Sequence, residues 1–339
     1  MSERRLRRAG PRDTDALAAL FDTVFPDNPK ADPAVLRWQF WDNPFGRAAS
    51  WVFDDDGELV CHFAVLPVPA RLDARPITAA KPADAATLPA YRGQGLMGRA
   101  ANAVFTECAE RGIPVTLCLP NRLARGALSK IGMVEVAPVR AYVAALDDTW
   151  LAERFGLPRP LARLVRRAVF RLPDVGRARE VEQPPDQLDA LWAATAEQVP
   201  NGVVHDAAWW RWRYVERPGG DYRFFAVRDA GRLLAAAATT TREAFGGRFV
   251  HLLDLQAVHA GAGRQVVGAA LAGTDAVGVA TVALPGTRIA GLVRSAGLRL
   301  LPRRLEPAEQ ILGLFHNDPS LGDLTDRQWS VAWTDLDHL

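Results

Sequence analysis

Apolar and polar positions along this chain follow recognisable periods. Between 99 and 111, Ala100, Ala103, Val104, Cys108 and Ala109 recur at helical spacing, and 84–88 and 114–119 read as short strands on either side of that helix. Asp54-Asp55-Asp56-Gly57 and Arg228-Asp229-Ala230-Gly231 each divide two strand-like runs, which predicts a hairpin and an antiparallel start to a sheet at both places. Within 150–180, Leu161, Leu164, Val165, Ala168, Val169 and Leu172 form an apolar helical stripe opposite Arg163, Arg166, Arg167 and Arg171. The pattern predicts a linker helix with its basic face in water. The same arginines suit an acidic carrier protein or an anionic membrane surface, and nothing in the sequence chooses between those two.

The chain also repeats itself at an offset of 174 residues. Asp15-Ala16-Leu17 recurs as Asp189-Ala190-Leu191 and Asp32 as Asp206. Arg37-Trp38, Phe40 and Pro44 recur as Arg211-Trp212, Tyr214 and Pro218, while Asp55, Gly57 and Leu59 recur as Asp229, Gly231 and Leu233. With small gaps, Asp84 matches Asp254, Leu119-Pro120 matches Leu284-Pro285 and Gly132 matches Gly297. Two copies of one α/β fold are expected, each a central mixed sheet flanked by helices. The units are 1–148, a basic helical linker at 149–180, and 181–339. Trp38, Trp41, Trp209, Trp210 and Trp212 fall on paired helices, where core packing is the expected role.

Candidate chemistry concentrates in Pro89-Ala90-Tyr91-Arg92-Gly93-Gln94-Gly95-Leu96-Met97-Gly98, a glycine-rich turn with an arginine that runs into the 99–111 helix. Glycines let a backbone approach an anion, and the N–H groups of a helix start supply donors and partial positive charge, so the segment reads as a pyrophosphate cradle. Gly93, Gly95 and Gly98 satisfy G-x-G-x-x-G, yet the dinucleotide-binding context is missing. Residues 89–92 separate the glycines from the strand, and the strand at 114–119 is followed by Pro120-Asn121 rather than an acid for the ribose. A phosphate-binding P-loop is excluded because no Lys-Ser or Lys-Thr follows.

At these residues the chain resembles the GNAT superfamily of acyl-CoA-dependent N-acyltransferases, whose loop is written Arg/Gln-x-x-Gly-x-Gly/Ala. Arg92 and Gly95 fit, and Met97 stands where the family usually has Gly or Ala. Asn121 followed by Gly132-Met133 resembles the family's strand-Asn-helix-Gly-Phe segment along the pantetheine arm, and 12–21 resembles its first helix. The resemblance implies acetyl-CoA or another acyl-CoA as co-substrate, held by Ala85, Ala86, Thr87, Leu88, Arg92, Gly93, Gln94, Gly95, Leu96, Met97, Gly98 and Asn121. It implies an amine of a small molecule or peptide as acceptor, with Asp84 as the base. In the second copy Ala262 replaces Arg92, Gln265 replaces Gly95 and Gly286 replaces Asn121, so one cofactor site is expected, in the first copy.

An alkylammonium must give up about 4 to 5 kcal/mol to be neutral at pH 7, which is what a base in reach would supply. The family's thiol-protonating tyrosine is replaced by Leu128, leaving water as the expected proton donor to the thiolate. Backbone N–H groups around Thr87 and Leu88 are the expected oxyanion donors. A carrier-protein-dependent transferase and a non-catalytic acyl-CoA-binding regulator are the alternatives.

Composition changes little in this picture. The 339 residues are 49% apolar with a formal charge of +2, so nothing calls for a nucleic-acid partner. No apolar run suits a membrane span or signal peptide, and a cytoplasmic monomer is expected, with the repeat acting as a pseudo-dimer. Cys61, Cys108 and Cys118 are expected to be reduced core thiols, and neither they nor the histidines show metal-ligand spacing. The arginine-rich basic set suggests a GC-rich bacterial genome.

Overall fold

Both predicted hairpins form, each around a two-residue turn. Asp56 (φ 51°) with Gly57 (φ 94°), and Ala230 (φ 45°) with Gly231 (φ 79°), put two consecutive residues at positive φ, the conformation whose twist matches that of paired strands. Asp73-Ala74 and Phe245-Gly246 make equivalent turns one strand later. The computed structural model describes residues 4–26, 31–120, 122–170, 173–306 and 309–335.

The first copy runs β1 (Arg5–Arg8), α1 (Thr14–Val24), α2 (Pro33–Leu36), β2 (Ala49–Asp55), β3 (Glu58–Leu72), β4 (Arg75–Thr87), α3 (Leu96–Glu110), β5 (Val115–Cys118), α4 (Arg122–Lys130) and β6 (Val134–Ala145). A helical hairpin follows, α5 (Asp148–Phe155) and α6 (Arg159–Val169). The second copy runs β7 (Arg179–Val181), α7 (Leu188–Thr195), β8 (Gly202–Val203), α8 (Ala207–Trp210), β9 (Arg223–Asp229), β10 (Arg232–Ala244), β11 (Gly247–Ala257), α9 (Ala260–Leu271), β12 (Gly278–Ala283), α10 (Arg288–Ser295), β13 (Arg299–Leu300) and β14 (Gln310–His316). The repeat is visible in the caps. Asp32 accepts from the Ala34 amide at 2.8 Å to start α2, Asp206 accepts from the Trp209 amide at 2.9 Å to start α8, and each short helix widens into a π-helical turn.

The strands join in one sheet, ordered β1-β2-β3-β4-β5-β14-β6-β12-β11-β10-β9-β7, with β13 paired to β6 and β8 to β3. The two copies exchange strands. Late-arriving β14 inserts between β5 and β6, pairing Gly313 with Cys118 on one side and Leu314 with Val134 on the other. Gly313 lets the Met133 side chain lie over the strand, since a Cβ would stand 2.5 Å from its sulfur and force it to move. Early β6 returns the exchange: its 134–139 half pairs with β14, and Arg140 to Ala145 pair with β12. At the centre the equivalent residues Trp38 and Trp212 stack at 4.8 Å, and Trp38 Nε1 donates to the Trp212 carbonyl at 3.0 Å.

The tryptophans of the paired helices are buried, in agreement with a core role. So are Cys61, Cys108 and Cys118, all free thiols. No described helix is long and apolar enough to cross a membrane. The stripe on α6 behaves differently from expectation. Ala162 packs against α5 and Ala145, but Leu161 and Leu164 face solvent, because α5 covers only one edge of the helix. Arg171 and Leu172 lie outside the described residues.

Candidate active site

β4 and β5 run parallel but meet in register at one pair, Ala80 and Thr116, and then diverge. Divergence is enforced from the β3 side. Pairing between β3 and β4 slips between His62 and Ala64, and Asp84 takes φ 49°, a left-handed conformation that aspartate tolerates better than most residues. His62 fixes the slip. Its Nδ1–H donates to the Asp84 carbonyl at 2.8 Å, while Nε2 accepts from Ser50 Oγ at 3.0 Å. Full burial pulls the His62 pKa down to about 4, against a smaller upward pull from that carbonyl, so the ring is neutral and the tautomer set. The Asp84 carboxylate is buried and accepts from Gln39 Nε2.

The splay opens a cavity of about 700 Å³ that runs from Asp84 to the start of α3. At the α3 end, Pro89–Tyr91 form a 3-10 turn, Arg92 is extended, and Gly93 (φ 76°) and Gly95 (φ 73°) turn the chain into the helix. A Cβ on either glycine would meet nothing within 4 Å, so the space in front of both is open. The first turn of α3 carries no acidic residue. Arg92 Nε donates to the Thr87 carbonyl at 3.3 Å, and the Tyr91 hydroxyl donates to Asp55 at 3.0 Å, with the Arg4 guanidinium 4.9 Å over its ring. The Asp55 contact holds the Tyr91 pKa above its ordinary value. The turn is thus braced from β2 and from the residue preceding β1.

Of the sequence-selected residues, Asp84, Ala85, Thr87, Arg92, Gly93, Gln94, Gly95, Leu96 and Met97 line this cavity. Ala86 does not: it faces the core beneath α1. Leu88 packs between two cores, and Gly98 faces Ile131, whose Cγ2 would lie 3.4 Å from a Cβ. Asn121 lies outside the described residues. The Leu88 amide donates to the Val60 carbonyl at 3.0 Å, which removes it as an oxyanion donor. On the α4 wall the lining residues are Ala124, Ala127 and Leu128, all apolar.

Sequence reasoning missed the opposite wall. Lys81 and Asp335 line the cavity beside Asp84, as do Val24 and Phe25. Asp335 comes from the far end of the second copy. Its Oδ1 accepts from His205 Nε2 at 3.0 Å and its Oδ2 from the Ala332 amide at 2.8 Å, while Asp254 Oδ2 lies 3.1 Å from His205 Nδ1. Burial alone would lower the His205 pKa, but the two carboxylates overcome it and lift the value to about 10, while burial pushes Asp254 up and the imidazole holds Asp335 below its ordinary value. Only the match of Asp254 to Asp84 hinted that this spot was special.

The second copy closes the equivalent space. His259 Nδ1 caps α9 by accepting from the Ala262 amide at 3.1 Å, Arg288 reaches the Ala257 carbonyl, and Gln265 Oε1 accepts from the Arg177 amide at 2.9 Å. What remains beside His205 is a cavity of about 40 Å³, enough for water alone.

A splayed parallel pair with a bulged strand and an open glycine turn at a helix start is the arrangement expected of the fold the sequence resembled. Residues 5–132 match the acetyltransferase (GNAT) domain family. The match covers the first copy of the repeat. Two solved structures share the fold over 93% of this chain and 73% of their own, each with a TM-score of 0.67. One is a GCN5-related N-acetyltransferase from Anabaena variabilis at 11% identity, the other a protein of unknown function, a probable N-acyltransferase, from Enterococcus faecalis at 12%. No curated protein matches the chain.

Proposed function

We propose that this protein transfers an acyl group from acyl-CoA to an amine in a single active site, that of its first copy. The observation that carries the reading is one continuous cavity joining an open, acid-free glycine turn to a buried carboxylate. The turn suits the pyrophosphate: with no side chain at Gly93 or Gly95, phosphate oxygens can reach the α3 amides, and Arg92 adds a positive charge. The splay between β4 and β5 accepts the pantetheine arm and brings the thioester toward Asp84.

The amine nitrogen then attacks the thioester carbonyl carbon, the C–S bond breaks, and an amide and a thiolate result. Asp84 draws the ammonium proton, directly or through one water, and Gln39 holds the carboxylate in place. The second N–H proton, lost as the amide forms, passes through water to the thiolate, since Leu128 offers no proton and the leaving group's pKa near 8.5 makes the demand mild. We divide the chain into a GNAT domain at 1–148, a linker at 149–180 and a degenerate copy at 181–339 that contributes β14 and Asp335 to the first.

Calorimetry with acetyl-CoA and longer acyl-CoAs tests the assignment, with one site per chain expected. Thiol release during an amine screen then separates an enzyme from an acyl-CoA-binding regulator, the second reading that Leu128 favours. Two equal sites, or no binding, would overturn the proposal.

A further inference from the structure

Seven large apolar side chains are markedly exposed among the described residues, and four of them fall within the α5–α6 hairpin: Phe155 at 41%, Leu161 at 44%, Leu164 at 63% and Val169 at 38%. Clustering of this kind marks an interaction surface, whereas scattered exposed leucines do not. The same hairpin carries Arg154, Arg159, Arg163, Arg166 and Arg167, and α6 itself has no acidic residue. Asp148, at the start of α5, is held by Arg163 at 3.1 Å and by Arg166.

The arrangement around α6 is specific. Ala162, Val165 and Phe170 turn toward the protein, while Leu161, Leu164 and Ala168 point away from it at one edge of the exposed face and Arg159, Arg163 and Arg167 at the other. An apolar edge beside a cationic edge, on a helix lying along the protein surface, fits the boundary of an anionic bilayer. Leucines enter the acyl region and arginine stems carry guanidinium groups out to phosphates.

We propose that the α5–α6 hairpin lays this protein reversibly on an anionic lipid surface. The size of the face favours lipid over a protein partner. Eleven helical residues span roughly 16 Å, and a strip about 10 Å wide falls far below the ~800 Å² per partner of a stable protein interface. A bilayer needs no such area, because each arginine near its surface adds attraction independently. Binding at this face is independent of the acyl-transfer reading, since none of these residues lines the large cavity.

Co-sedimentation of the full chain with vesicles tests the proposal. Binding is expected to phosphatidylcholine vesicles containing about one-third phosphatidylglycerol, to fall as salt rises, and to be absent for phosphatidylcholine alone. Arg159→Ala with Arg167→Ala should weaken partitioning about thirty-fold, at the roughly five-fold that each basic residue supplies, and the corresponding lysine pair should restore it. Leu161→Ser with Leu164→Ser should weaken it about ten-fold. All these positions are exposed, so thermal melting should match that of the parent protein. Three outcomes would overturn the proposal: no partitioning onto anionic vesicles at low salt, equal partitioning onto neutral ones, or full binding by variants that melt normally. A one-to-one complex with an acidic acyl carrier protein through these residues, with vesicles left unbound, would overturn it in favour of that partner.

Discussion

The two copies share caps, hairpins and strand order, yet one encloses about 700 Å³ and the other about 40 Å³. Few substitutions account for the contrast. Where the first copy has Gly95 at φ 73° facing open space, the second has Gln265, whose side chain is packed against Gly176 and the Arg177 amide. Where the first leaves the splay clear, the second spans it with Arg288. Asp84 opens onto the large cavity, whereas its equivalent Asp254 is spent on His205. The fold is therefore permissive: the same frame stands open in one copy and filled in the other.

Separating the halves is the most severe way to break this comparison. Residues 1–148 expressed alone lack β14, which leaves β5 and the first half of β6 as open edges, and they should aggregate. A monomeric, active fragment by light scattering and turnover would show the second copy to be dispensable.

Asp84→Asn should slow turnover at neutral pH by about 10² to 10⁴ while acyl-CoA affinity holds, and the deficit should shrink toward pH 10 as the acceptor amine becomes neutral unaided. The equivalent Asp254→Asn should instead lower thermal stability, by about 3 to 5 kcal/mol if His205 is left with a broken pair. Matching kinetic losses in the two variants would erase the distinction between copies.

Gly95→Leu should weaken acyl-CoA binding by about a hundred-fold, through strain at positive φ and a side chain in the pyrophosphate space. Gln265→Gly should leave the calorimetric stoichiometry at one, because Arg288 and His259 still close the second site.

The smaller effects concern pH, and His205 and His62 respond in opposite directions. His205 has a folded pKa of about 10 against an ordinary 6.5, so its contribution is complete below pH 6.5 and is lost as pH rises through 10. His62, at about 4, is neutral in the fold, so stability falls as pH drops from 6.5 toward 4, by about 3 kcal/mol at most. His251, stacked on Trp333 and also near 4, adds to the acid limb. Melting temperature against pH should lose its alkaline slope in His205→Gln and part of its acid slope in His62→Gln.

Much of this was legible because it was local. Asp-Gly and Ala-Gly turns, the capping aspartates and the glycine turn before α3 each act within a few residues, and repetition made the hairpins and caps visible twice. The exchange of strands was not legible: β6 is one uninterrupted run whose two halves serve different neighbours, and Pro138, just before the change, does not say which neighbours they are. Nor were Gln39 and Asp335 beside Asp84, since they are brought there by packing across 45 and 130 residues of their hydrogen-bonded partners. On α6 the periodicity was right and the basic edge is in water as expected, but much of the apolar stripe is uncovered too, because amphipathicity states that a helix has two faces and leaves open how much of either is covered.

The inserted β14 also imposes a schedule on synthesis. Its partners β5 and β6 emerge from the ribosome long before it, so the sheet of the first copy stays gapped through translation of the whole second copy. Such late, long-range closure slows folding and lengthens the period in which bare strand edges are at risk. It also makes completion of the first copy conditional on the second having been made: a nascent chain cut short anywhere before residue 310 lacks the strand that joins β5 to β6.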